Sequence, residues 1–90
     1  MTNFVEEAYD DLMNLKTDLN AFHNIVSANP DDSDASEFYA YFQEAINKFE
    51  DYINEHQNDP EVDFVCYYEV NIFNLLDEIR ARWLEPELYQ

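Results

Sequence analysis

The chain holds 90 residues, with twenty-one Asp and Glu against four Lys and Arg, no glycine and a formal net charge of −17 at pH 7. That excess disfavours direct contact with nucleic acid or an anionic membrane, because both are polyanions whose ligands carry clustered Lys and Arg. A hydrophobic content of 47%, with seven Phe, seven Tyr and one Trp, excludes an acidic disordered tail, which lacks the apolar surface to offset its ordering entropy.

One domain, 1–90, fits this length. Cys66 is the single cysteine, so no disulfide framework of the secreted kind exists. No stretch approaches the roughly 18 apolar residues of a membrane span, and Met1-Thr2-Asn3-Phe4-Val5-Glu6-Glu7 has neither the basic nor the apolar part of a leader. A cytoplasmic protein is expected.

Three helices are predicted, over about 3–28, 35–57 and 60–84, in an all-α, antiparallel three-helix bundle with short Asn, Asp and Pro connections. In the first, Val5, Ala8, Leu12, Leu15, Leu19, Phe22 and Val26 alternate at spacings of three and four, a helical seam. Asn3 and Glu6 read as a capping pair, and Asn29 suits the left-handed position that ends a helix before Pro30. The second carries Phe38, Phe42, Ala45, Phe49 and Tyr52 or Ile53, with Asp34 as its N-cap and Glu37 behind it. The third opens on Asp59 as N-cap with Pro60 at the first helical position. Val65, Tyr68, Ile72, Leu75, Leu76, Ile79 and Trp83 form its seam, and Arg80 and Arg82 suit its C-terminal dipole. Its opening, Val62 to Val70, is rich in β-branched and aromatic residues and also reads as a strand. Helix is favoured, because no other segment offers a partner strand.

On these helices the carboxylates fall into rows. Glu7, Asp11 and Asp18 stack along the first helix, and Glu37, Glu44, Asp51 and Glu55 along the second. Spacings of four and seven correspond to roughly 6 and 10 Å of helix rise, close to two and three phosphate steps at about 3.4 Å each. Like charges four apart destabilise a helix by a few tenths of a kcal/mol per pair. Solubility alone asks a net charge of only about 2 to 8 with both signs mixed, so the rows point to recognition of a basic surface. Tyr9, Tyr39, Tyr41, Tyr67, Phe64, Phe73 and Tyr89 remain once the seams are filled. Tyrosine beside carboxylates supplies large area and a hydroxyl for Lys or Arg at an interface.

No catalytic constellation emerges. Carboxylate catalysis needs a pair in divergent environments, and nothing singles one out. His23 and His56 follow Asn20 and Ile53 at three residues, so neither forms a helical metal-binding pair. The stretch Asp31-Asp32-Ser33-Asp34-Ala35-Ser36-Glu37 lacks the glycine and terminal Glu of a calcium loop. No enzyme activity, metal or cofactor is expected, and Cys66 reads as a small apolar residue.

Small size, extreme acidity, the rows Glu7/Asp11/Asp18 and Glu37/Glu44/Asp51, and interspersed tyrosines make the chain similar to the acidic DNA-mimic inhibitors of the anti-CRISPR and anti-restriction kind, used by phages and mobile elements. The resemblance is at class level and rests on no diagnostic motif. It implies a stoichiometric blocker in a bacterial cytoplasm, occupying the nucleic-acid groove of a Cas effector, restriction enzyme, repair enzyme or nuclease. Residues 49–83 also resemble the immunity proteins of nuclease colicins, through Phe49-Glu50, Glu55-His56, Asp63-Phe64-Val65-Cys66-Tyr67-Tyr68, Ile72, Ile79 and Trp83. That likeness implies nuclease contact by Tyr67 and Tyr68, although no proline follows Tyr68 and no glycine-containing loops flank it. A third reading is a helical module that buries its surplus aromatics against a second copy in a homodimer. The expected partner-binding residues are Glu7, Asp11, Asp18, Glu37, Glu44, Asp51, Glu55, Tyr39, Tyr41, Tyr67 and Tyr68.

Overall fold

The computed structural model describes residues 4–89, without the side chains of Phe4, Leu88 and Tyr89. The expected role of Asn3 and the surplus ring of Tyr89 therefore lie outside the described residues. Helix α1 spans Phe4–Ala28 and α2 spans Ser33–His56. A third helical rod combines α3, Phe64–Tyr68, and α4, Asn74–Ile79, with π-helical stretches at Glu69–Phe73 and Arg80–Leu84. A 3₁₀ turn, Pro86–Tyr89, follows, and the described residues contain no strand. The residues from Phe64 onward that also read as a strand are thus helical.

The core is wholly apolar. Ala8, Leu12, Leu15 and Phe22 meet Ala35, Phe42, Ile46, Phe49 and Ile53 from α2 and Phe64, Ile72, Leu76 and Ile79 from the third rod, each at most 5% exposed. Among the described residues no polar or charged side chain is buried. Contacts fix how the helices lie. Tyr9 near the start of α1 donates its hydroxyl to Asn54 Oδ1 near the end of α2, and Lys16 Nζ lies 2.9 Å from Glu50 Oε2. At the other end of α1, Phe22 packs on Tyr39 at 6.1 Å between ring centroids. The third rod meets α2 end to start as well, with Tyr67 stacked on Tyr52 at 4.1 Å and Trp83 on Phe38 at 5.3 Å.

Several local assignments differ from the sequence reading. The cap of α2 is Asp32, which accepts from Ala35 N at 3.0 Å, while Asp34 is free to pair with Arg82 at 3.3 Å. Asp32 also accepts from Trp83 Nε1 at 3.2 Å, so one carboxylate starts α2 and holds the end of the third rod. No described residue has positive φ. Asn29 therefore does not take the left-handed position; its side-chain Nδ2 donates to the Ile25 carbonyl at 2.8 Å, satisfying one of the free carbonyls at the helix end. Asp59 forms a local turn, accepting from Glu61 N at 3.0 Å, and the third rod starts four residues later than predicted, at Phe64 with Asp63 as its cap accepting from Cys66 N.

That shift changes which side chains face inward. Phe64, expected as surplus, is 5% exposed, whereas Val65, expected in the seam, is 52% exposed. From Phe64 the inward residues run Phe64, Tyr68, Ile72, Leu76, Arg80 and Leu84, all buried or half-buried, at a constant spacing of four. A strict α-helix advances about 100° per residue, so a four-residue step drifts by about 40°. The π-helical turns, with i→i+5 hydrogen bonds and more residues per turn, absorb that drift and keep the seam on the core. In α2 the same logic adds Ala35 and Ile46 to the core and leaves Ala45 half-buried.

The burial pattern is directly testable by urea unfolding. Phe64→Ala should lose about 3 to 5 kcal/mol, and Val65→Ala no more than about 0.5 kcal/mol; the reverse order would place the start of the third rod wrongly.

Candidate functional site

With the core closed to charge, every carboxylate stands at the surface, and the two predicted rows border the third rod from opposite sides. On the α1 side, Glu7 and Asp11 line a cleft of about 290 Å³ against Val62, Phe64 and Val65. Further along, Asp18 Oδ2 lies 3.0 Å from Arg80. On the α2 side, Tyr41, Glu44 and Lys48 line a second groove, of about 240 Å³, against Tyr67, Asn71 and Leu75.

All four cations are engaged within the molecule. Lys16 pairs with Glu50, Lys48 with Glu44 at 3.2 Å, Arg80 with Asp18, and Arg82 with both Asp34 and Glu78. Two of the seven expected contact carboxylates, Asp18 and Glu44, are therefore in ion pairs, so each row is partly neutralised within its length. Glu7, Asp11, Glu37, Asp51 and Glu55 are exposed; Glu37 accepts the Tyr41 hydroxyl at 2.6 Å.

The tyrosines divide. Tyr41 is half exposed, and the hydrogen bond to Glu37, with that carboxylate's charge, pushes its phenol above the usual range. Tyr39 is half-buried against Phe22 and His23. Tyr67 stacks on Phe49 as well as Tyr52. Tyr68 is half-buried, and burial raises its phenol pKa, against the pull of Arg80 and with added push from Asp11 and Asp18. Tyr39, Tyr67 and Tyr68 thus give most of their area to packing, and Tyr41 is the one of the four expected contact tyrosines presented outward. What the sequence reading did not single out is the exposure of Val65 and Val70, at 52% and 71%, on the third rod beside half-exposed Phe73. A seam drawn at a constant spacing of four from Phe64 leaves all three outside it.

Two carboxylates respond to their surroundings in opposite directions. Partial burial and the neighbouring Asp10 raise the Asp11 pKa. The Ala35 amide, the Trp83 indole and Arg82 hold Asp32 below the usual range. Among the described residues no cluster of three or more His, Cys, Asp or Glu has the geometry to hold a metal ion, and no helix is long and apolar enough to cross a membrane. Comparison with protein-family models, with curated proteins and with solved structures yields no match.

The signs of those shifts set a pH experiment. A raised carboxylate binds its proton more tightly when folded, so ionised Asp11 opposes folding above its folded pKa, and the opposition fades as pH falls through that value. Asp32 does the reverse: its stabilisation is present above the unfolded value and is lost as pH falls through its depressed one. Asp11→Asn should raise the melting temperature at pH 7 and Asp32→Ala should lower it, with both differences shrinking under acid; matching signs for the two variants would contradict the assignment.

Proposed function

We propose that the protein is a non-enzymatic acidic inhibitor, an antiparallel three-helix bundle that binds the basic nucleic-acid-binding surface of a target protein and blocks it stoichiometrically. The observation that carries this reading is the complete use of the four cations in intramolecular ion pairs, which leaves Glu7, Asp11, Asp51 and Glu55 outside every ion pair with a Lys or Arg. A basic groove supplies the missing counter-charges, as it does for phosphates, and the carboxylates displace the nucleic acid by occupying the same Lys and Arg.

The antiparallel arrangement follows from Tyr9 meeting Asn54 and Lys16 meeting Glu50, and it puts the α1 and α2 rows on a common rigid frame. Rigidity matters energetically. Carboxylates already fixed on packed helices lose little freedom on binding, whereas a floppy acidic tail loses rotamer and backbone entropy at each contact. Target classes consistent with such a surface are Cas effectors, restriction enzymes, DNA-repair enzymes and nucleases. The cytoplasm of a bacterial host is where these targets operate.

The test uses basic proteins pre-selected by heparin from a bacterial lysate and offered to the immobilised chain. A retained partner should associate at least tenfold more slowly in about 0.5 M than in about 0.05 M NaCl, because charge steering is screened. Duplex DNA should compete with the chain for that partner. Salt-independent association, or a ternary complex with DNA, would remove the mimicry reading. Within the chain, neutralising Glu7, Asp11, Glu37 and Glu55 as Gln or Asn should cut the association rate by about tenfold while the fold is retained.

A further inference from the structure

Between the two acidic rows the outer face of the third rod is apolar and uncovered. Val65 is 52% exposed, Val70 71% and Phe73 50%, and they are three of the five large hydrophobic side chains at least half exposed among the described residues. Cys66, Val70 and Phe73 follow at spacings of four and three, and Val65 and Phe73 are separated by Glu69, four residues from each. Neighbours at three and four residues share a helix face, so these side chains form one strip about two turns long, roughly 12 Å. The strip spans the π-helical stretch Glu69–Phe73.

Its borders are chemically uniform. Val65 lies at the rim of the cleft that holds Glu7 and Asp11, and Val70 at the rim of a shallower depression with Glu61, Asp63 and Asn71. None of the four cations lines either hollow. Lys48, on the α2 row, is tied to Glu44. Apolar centre and acidic rims together select a ligand with the opposite layout. A second copy of this chain would bring −17 against −17, and an uncharged helix would leave the rims without counter-charge.

We propose that the outer face of the third rod docks an amphipathic basic helix of the target, with its apolar residues on Val65, Val70 and Phe73 and its Lys and Arg reaching the flanking carboxylates. The docked helix becomes the fourth helix of the assembly. It packs side by side with the third rod, at the 8–10 Å axial spacing common to helix pairs, and its long cationic side chains extend over the apolar strip to the charges beyond. This inference rests on the preceding reading only in taking the target to be basic. It adds that recognition has an apolar centre, so that part of the affinity survives high salt.

The probe is a synthetic peptide of about fourteen leucine and lysine residues, roughly four helical turns, with the leucines on one helical face. Its control has the same composition with the leucines scattered. Fluorescence anisotropy should show the patterned peptide binding at least tenfold more tightly than the control, as burial of a few apolar side chains allows. The double variant V70S/F73S, whose side chains are half exposed or more and whose fold is checked by circular dichroism, should abolish that tenfold preference while leaving the control unchanged within about twofold. E7Q/D11N should weaken both peptides and flatten their salt dependence. Equal binding of the two peptides, or a preference that survives V70S/F73S, overturns the proposal. So does sedimentation of the chain alone as a dimer that V70S/F73S converts to monomer, since a second copy then covers the face. The inhibitor reading fails on a different measurement, the absence of competition with DNA, so the two outcomes are separable.

Discussion

Repulsion among carboxylates is the constraint under which everything else in this molecule is arranged. Two like charges about 6 Å apart in water cost about 0.7 kcal/mol before screening, and a Debye length of about 8 to 10 Å at physiological salt spares only the distant pairs. Against this stands a core in which Phe22, Phe42 and Phe49 are fully buried, each contributing on the order of 2 to 3 kcal/mol from burial. A core without a single buried polar side chain among the described residues is what such a surface demands, since an added buried charge would impose a desolvation cost of several kcal/mol. The four cations are spent where they tie elements together: Lys16 bridges α1 to α2, Arg80 bridges α1 to the third rod, and Arg82 bridges α2 to it.

The same economy shows at the chain's connections. Without glycine, the turns use no positive φ, and Asp and Asn side chains replace what a glycine would allow. Asn29 reaches back to the Ile25 carbonyl, and Asp32 and Asp63 cap the helices that follow. The indole of Trp83 settles on Phe22 at 5.2 Å and donates to Asp32, while the Arg82 guanidinium lies 4.4 Å from the Trp83 ring centroid. A small cluster of aromatic, cationic and anionic groups thereby fastens one end of the bundle. At the other, Tyr52 joins Phe64, Tyr67 and His56.

Much of this was legible in the residues. The three-four alternation from Val5 to Val26 defines α1, and the punctuation at Asn29-Pro30 and Asn58-Asp59-Pro60 separates the helices. Finer choices were not. Asp31, Asp32 and Asp34 are all competent caps, and what selects Asp32 is its reach to Trp83, a contact fifty-one residues away that no local pattern encodes. The register of the third rod escaped for a related reason. A seam sought at spacings of three and four accepts Val65 as readily as Phe64, while a run at constant four is unusual for an α-helix and points to π-helical widening. Tyr67 and Tyr68 could not be divided between packing and contact from composition, because a tyrosine's ring and hydroxyl suit either setting. The acidic rows were legible as rows, but the pairing of Asp18 and Glu44 depends on where Arg80 and Lys48 come to rest.

The widened turns make the third rod sensitive to length rather than to side-chain identity. Removing one residue between Glu69 and Phe73 would restore an ordinary α-helical count there, and everything downstream would swing by about 100° around the axis. Arg80 would then turn away from Asp18 and Trp83 from Asp32, unfastening the far end of the bundle through a deletion made at its middle. Variation in this stretch is thus free to exchange one side chain for another on the outer surface, while the number of residues it contains is locked to the geometry of both ends.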